Sequence, residues 1–86
     1  MRIIFSPHAL QRLAEREIKR EVALNALENP DKIEVSRQDQ RRILFKKVYY
    51  NQSLKHDHLL MLICEKKDEE LQIVTIIDTS KISKYL

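Results

Sequence analysis

The 86-residue sequence contains no glycine and no tryptophan, a single cysteine and two prolines. Without glycine there is no glycine-rich loop to cradle phosphates, which excludes the P-loop and dinucleotide fingerprints. The lone cysteine, Cys64, cannot form an intrachain disulfide. It lies in the apolar run "LLMLIC" and reads as a buried thiol in a reducing compartment. No stretch approaches the roughly 18 apolar residues that a membrane span needs. The opening "MRIIFSPH" is too short in apolar residues for a secretory leader. The expected location is therefore cytoplasmic. Repeats and low-complexity tracts are also missing, so one domain over 1–86 is expected. A chain of this size buries roughly two-thirds of its unfolded surface. One modest core is feasible without metal or cross-links.

Charge is present but unevenly placed. The formal net charge is +3. Residues 1–50 carry 11 Lys/Arg against 7 Asp/Glu, whereas residues 51–86 carry 5 against 6. The excess sits in the first helical segment and in "RRILFKK", and points to an anionic partner, RNA or an acidic protein. A solvated surface accounts for the same charges.

"RIIF" reads as a short strand. Ser6 offers an N-cap hydroxyl and Pro7 fits the first helical position, which predicts a helix over about 7–16. Ala9, Leu10, Leu13 and Ala14 fall on its apolar side, and His8, Gln11, Arg12 and Glu15 on the other, with Arg16 at the border. "REVALNALE" predicts a second helix, with Val22, Ala23, Leu24, Ala26 and Leu27 over a broad apolar arc. It ends at "NPD", because Pro30 disfavours helical geometry at Asn29. From Lys32 the period becomes two. "KIEV", "RRILFKKVYY", "HLLMLICEK" and "LQIVTIID" read as strands, the third nearly continuous in apolar residues as at a sheet centre. "TSKISKYL" closes as a short helix or docked tail. Joining consecutive strands antiparallel predicts a two-layer α+β domain. An N-terminal αα-hairpin would pack on a small antiparallel sheet of three to five strands.

His8, Arg12 and Arg16 recur every four residues, so they share one stripe of the first helix. Histidine suits proton transfer near neutral pH, and the arginine fork suits a phosphate that gains charge during attack. His8 also sits in the first turn, where free N–H groups favour an anion. Structural roles compete with this. A histidine at a helix start is often a local hydrogen-bond partner. Arg12, Glu15, Arg16 and Lys19 can form ion pairs of about 0.2–0.5 kcal/mol each. Arg16 can hold the helix pair through Glu21.

In "RRILFKKVYY", alternation puts Arg42, Lys46 and Tyr50 on one face and Arg41, Lys47 and Tyr49 on the other. Basic and aromatic residues on one face are how proteins track phosphates and stack bases. His56 and His58 in "KHDH" are a weaker zinc candidate, because no third ligand has suitable spacing and Cys64 lies in an apolar run.

The element order, together with "FSPHALQRLAEREI", "VALNALENPD" and "LQIVTII", resembles a small bacterial family. That family is grouped with BrnT-type and RelE/ParE-like toxins of type II toxin–antitoxin systems. The resemblance covers most of the chain, with its sharp motif in the first 20 residues. It implies a metal-independent endoribonuclease that cleaves mRNA, on or off the ribosome, and is held inactive by a cognate antitoxin protein. No cofactor is implied. His8, Arg12 and Arg16 match the helical motif. Lys81 and Lys84 are the nearest counterparts of the basic segment after the last strand, and Tyr85 of the C-terminal tyrosine in RelE relatives. The segment carries Thr79 and Ser80 where an arginine is expected. The implied catalytic set is His8, Arg12, Arg16, Lys81 and Tyr85, with the base at His8 and the acid in the strand or tail. The candidate RNA contacts are Arg42, Lys46 and Tyr50, read from the alternation of their strand, together with Lys84 of the tail. The alternative is a non-catalytic RNA- or protein-binding module.

Overall fold

The computed structural model describes residues 1–86. Its elements are β1 (Arg2–Phe5), α1 (Pro7–Glu15), α2 (Arg20–Glu28), β2 (Lys32–Val35), β3 (Arg42–Asn51), β4 (His56–Lys67), β5 (Glu70–Thr79) and α3 (Ile82–Tyr85). Ser6 starts α1 as its spacing indicates: Oγ accepts the Ala9 N–H at 3.0 Å, with Pro7 in the first turn. The same hydroxyl donates to the Val74 carbonyl at 2.7 Å, and the Ser6 N–H donates to the Ile73 carbonyl at 3.0 Å. One residue thus caps the helix and pins its start to β5.

The lack of glycine has a local cost. Glu17, Lys55 and Asp68 hold φ of 54°, 58° and 56°, in the left-handed region that glycine usually occupies. They close α1, the β3–β4 turn and the β4–β5 turn, and each conformation costs about 1 kcal/mol.

Strands make up 47% of the chain, so the sheet dominates the architecture. It has five strands in the order β1-β5-β4-β3-β2. β2 to β5 pair antiparallel, but β1 pairs parallel with β5, in register Arg2 with Glu70 and Phe5 with Ile73. The expectation of an N-terminal helical hairpin on a small antiparallel sheet is therefore overturned. β1 and β2 lie at opposite edges, so the helical segment between them must traverse the width of the sheet. α1 lies over β1 and β5, and α2 lies over β3 and β4. The helices sit in series across one face of a mixed sheet. The antiparallel rule for consecutive strands does not reach β1, because helices and not a short turn follow it.

Each helix buries its smallest residues against the sheet. Ala9, Ala23 and Ala26 are fully buried, which lets the backbone approach closely, while Ala14 is exposed. Against them pack Leu60, Leu62 and Cys64 of β4 and Leu71, Ile73 and Ile76 of β5. The alternate residues of β4, Leu59 and Met61, face the other side of the sheet and are also buried. A strand buried on both faces accounts for the unbroken apolar run. No helix is long and apolar enough to cross a membrane.

The second face is covered in part by the C-terminal segment. Lys46 Nζ donates to the Tyr85 main-chain oxygen at 2.5 Å and pairs with Glu34 at 3.2 Å. Lys32 Nζ donates to the Leu86 main-chain oxygen at 2.8 Å. Two lysines opposed across β2 and β3 thereby hold the tail down.

Candidate functional site

At one end of the helix-covered face, four polar side chains interlock. Tyr49 and His58 are opposed across β3 and β4, and Asp78 lies near the end of β5. His58 Nδ1 lies 3.1 Å from each Asp78 carboxylate oxygen. The Tyr49 hydroxyl donates to Asp78 Oδ1 at 2.7 Å and accepts from Asn51 Nδ2 at 3.1 Å. Asn51 Oδ1 accepts the Leu54 N–H, which ties the cluster to the β3–β4 turn. A carboxylate only accepts, so Nδ1 carries the proton that is shared with Asp78. Nε2 is buried with no partner.

Next to this cluster a cleft of about 290 Å³ opens between the α1–α2 link and the β3–β4 turn. Ile18, Val22 and Tyr49 supply apolar wall, and Lys19, Gln52 and Ser53 supply polar groups. The α1–α2 link reaches the cleft because Glu17 turns the chain in the left-handed conformation, so the Ile18 N–H bonds back to the Leu13 carbonyl at 2.9 Å. Burial and the bond to Asp78 push the Tyr49 pKa up, and the hydrogen bond from Asn51 pulls it partly back. Burial also pushes the Cys64 thiol up to about 12.

These shifts limit the chemistry of the cluster. Tyr49 stays protonated at neutral pH and is a poor proton donor. The His58–Asp78 pair has the composition of a general-base relay, but its outward nitrogen is shielded from solvent. Cys64 is a fully buried, protonated thiol, unsuited to nucleophilic attack. The cluster acts as a scaffold that fixes the Tyr49 ring as a rigid wall.

The residues singled out in the sequence are dispersed. His8 and Arg16 are exposed on α1 and make no internal salt bridge. Arg12 is half-buried rather than on the wet side of the helix. Its closest carboxylate is Glu15 at 3.9 Å, and its Nε is buried with no acceptor. Lys81, Lys84 and Tyr85 belong to the tail, which lies on the opposite sheet face, so they do not border the α1 row. Arg42, Lys46 and Tyr50 share a face as alternation requires. Lys46, however, is only 6% exposed and committed to the tail, and Arg42 donates to Glu65 at 3.1 Å. Burial under the tail removes Lys46 from contact with RNA. Tyr50 remains exposed. His58 is held by Asp78 and His56 Nδ1 by the Asp57 main-chain oxygen, and no group of three metal-ligating side chains is brought together.

Asp78 and Asn51 were not singled out in the sequence, and Tyr49 and His58 were grouped with other residues, Tyr49 with Arg41 and Lys47 and His58 with His56, not with each other. A signal was available: each is a polar residue at the end of an apolar, period-two strand, and period two places Tyr49 and Asp78 on the core side.

A family model described as "Domain of unknown function (DUF4258)" matches residues 5–78. No curated protein and no solved structure matches the chain.

Proposed function

The chain belongs to the DUF4258 family, and from its geometry we propose that it is a non-catalytic RNA-binding module that holds phosphates along α1. One observation supports this reading above the others: the charges of the α1 row are not consumed inside the molecule. His8 and Arg16 are exposed without an internal ion pair, and Arg12, half-buried, has only a long approach from Nη1 to Glu15 at 3.9 Å. Two largely unpaired arginines four residues apart can each hold a backbone phosphate through charge-assisted hydrogen bonds. The stripe ends at Arg16, the C-cap of α1, and the next residue, Glu17, lines the cleft.

The test is fluorescence anisotropy with a labelled single-stranded RNA over a salt series. Arg12→Ala and Arg16→Ala should each weaken binding across sequences and lower the salt slope by about 1. Failure of the wild type to bind at low salt, or equal binding by the double variant, defeats the reading.

A second reading, the toxin-like endoribonuclease, is favoured by one observation: the His8 ring is exposed and uncommitted one turn before Arg12. Cleavage of the same RNA in EDTA decides it. A proton-transfer role costs roughly 10²–10⁴-fold in His8→Ala; intact RNA after incubation with the wild type rejects it.

A further inference from the structure

We propose that the cleft between the α1–α2 link and the β3–β4 turn receives one unpaired nucleobase of a single-stranded RNA whose phosphates follow the α1 row. The proposal rests on the RNA-binding reading and adds to it a ligand class and a place.

Three features of the cleft argue for it. The first is size. At about 290 Å³ it lies at the lower limit of small-molecule sites, roughly 300–1,000 Å³, so it has room for one planar heterocycle and none for a stacked duplex. The second is the wall. The Tyr49 ring cannot swing away, because its hydroxyl is held by Asp78 at 2.7 Å and by Asn51 at 3.1 Å, and His58 packs edge-on to it with ring centroids 6.3 Å apart. Ile18, 8% exposed, and Val22 add apolar surface. A pre-fixed aromatic with aliphatic neighbours is a stacking platform that needs no ordering on binding.

The third is the distribution of polar groups. Both ends of the Asn51 amide are spent, on Tyr49 and on the Leu54 N–H, so Asn51 holds the wall and does not read a ligand. Gln52 and Ser53 are exposed on the turn, carry both donors and acceptors, and form no internal side-chain bond, so they are free for a base edge. At the mouth Lys19 is exposed and unpaired. Arg16, the exposed C-cap of α1, directly precedes Glu17 of the cleft lining, so Lys19 and Arg16 flank the carboxylate of Glu17 along the chain. An anionic backbone is thus favoured outside a neutral, flat pocket. This is the arrangement by which unstacked bases are splayed out of single strands.

The experiment measures anisotropy of a labelled ten-nucleotide single strand and of a labelled duplex hairpin of the same composition, at matched salt. The expected result is single-strand binding roughly tenfold tighter than duplex binding. Val22→Phe, which fills the cleft, and Gln52→Ala, which leaves the core untouched, should each erase most of that preference while duplex affinity stays unchanged. Arg12→Ala with Arg16→Ala should weaken both RNAs alike. Equal affinity for the two RNAs, or a preference that survives both cleft variants in folded protein, overturns the cleft and leaves the α1 reading standing. Absence of binding to either RNA overturns both.

Discussion

The basic row of α1 and the basic row of β3 look equivalent in the sequence. Each carries residues of basic type at four-residue intervals, Arg12 and Arg16 after His8 in one, and Arg42 and Lys46 before the aromatic Tyr50 in the other. In the folded chain they differ in what they are tied to. Lys46 is buried and clamps the main chain of Tyr85, and Arg42 is paired with Glu65. The α1 row keeps its heads largely unpaired. Spacing tells which residues share a face; the partner of that face decides whether a charge is structural or available. The sharpest way to test this difference is to remove anchors on each side of the sheet and compare stability with binding.

The largest effect is expected on the helix side, at Asp78. Its side chain is 5% exposed and serves both His58 and Tyr49. Asp78→Ala leaves two buried donors unpaired and should cost about 3–5 kcal/mol in urea unfolding. Asp78→Asn keeps one acceptor and should cost less. If Asp78→Ala costs no more than a surface substitution, the cluster is not the scaffold of the cleft. The same cluster sets a pH limit. The folded state raises the Tyr49 pKa, so its contribution is full below the unfolded value near 10 and is lost as pH rises above it. Unfolding midpoints should fall above pH 10, and less so in Tyr49→Phe.

A smaller effect is expected on the tail side. Lys46→Ala removes a charge-assisted bond to Tyr85 and the buried stem, at about 1.5–3 kcal/mol. RNA affinity should stay within twofold of wild type, whereas Arg16→Ala should show the reverse pattern. Acid reports on the same anchor. Hydrogen bonds from Lys32 and Lys46 hold the Glu34 carboxylate below its ordinary value of 4.5. Its contribution is present above that value and is lost as pH falls through the lower folded one. Release of the tail, followed by amide exchange of residues 82–86, should therefore begin below pH 4.5.

Much of the secondary structure was legible, because hydropathy period and caps are local properties. Ser6 with Pro7 marked the start of α1, and "NPD" marked the end of α2. What could not be read was which strand takes β1. A four-residue strand carries no pairing code, and its place beside β5 depends on how far the helical segment reaches across the sheet. The α1 stripe was legible as a stripe, but the burial of Arg12 was not, because it depends on how α1 is set on the sheet. The cleft was illegible for the same reason. Its walls come from two segments separated by the whole stretch from Val22 to Tyr49, and Asp78, which fixes its aromatic wall, comes from a third.

The smallest effect concerns the β3–β4 turn, whose Gln52 and Ser53 border that cleft. Lys55 holds φ at 58° while its N–H donates to the Asn51 carbonyl at 2.7 Å. A Cβ-bearing residue is strained there, and glycine is not. Glycine also gives the unfolded chain more freedom, which offsets part of the relief. Lys55→Gly should therefore raise stability by at most about 1 kcal/mol, read as a small rise in urea midpoint with an unchanged slope. The exposed lysine side chain lies outside the proposed phosphate row, so single-strand RNA affinity should be retained. A loss of affinity with stability preserved would place this turn's charge among the RNA contacts and weaken the distinction between the α1 row and the basic residues elsewhere in the chain.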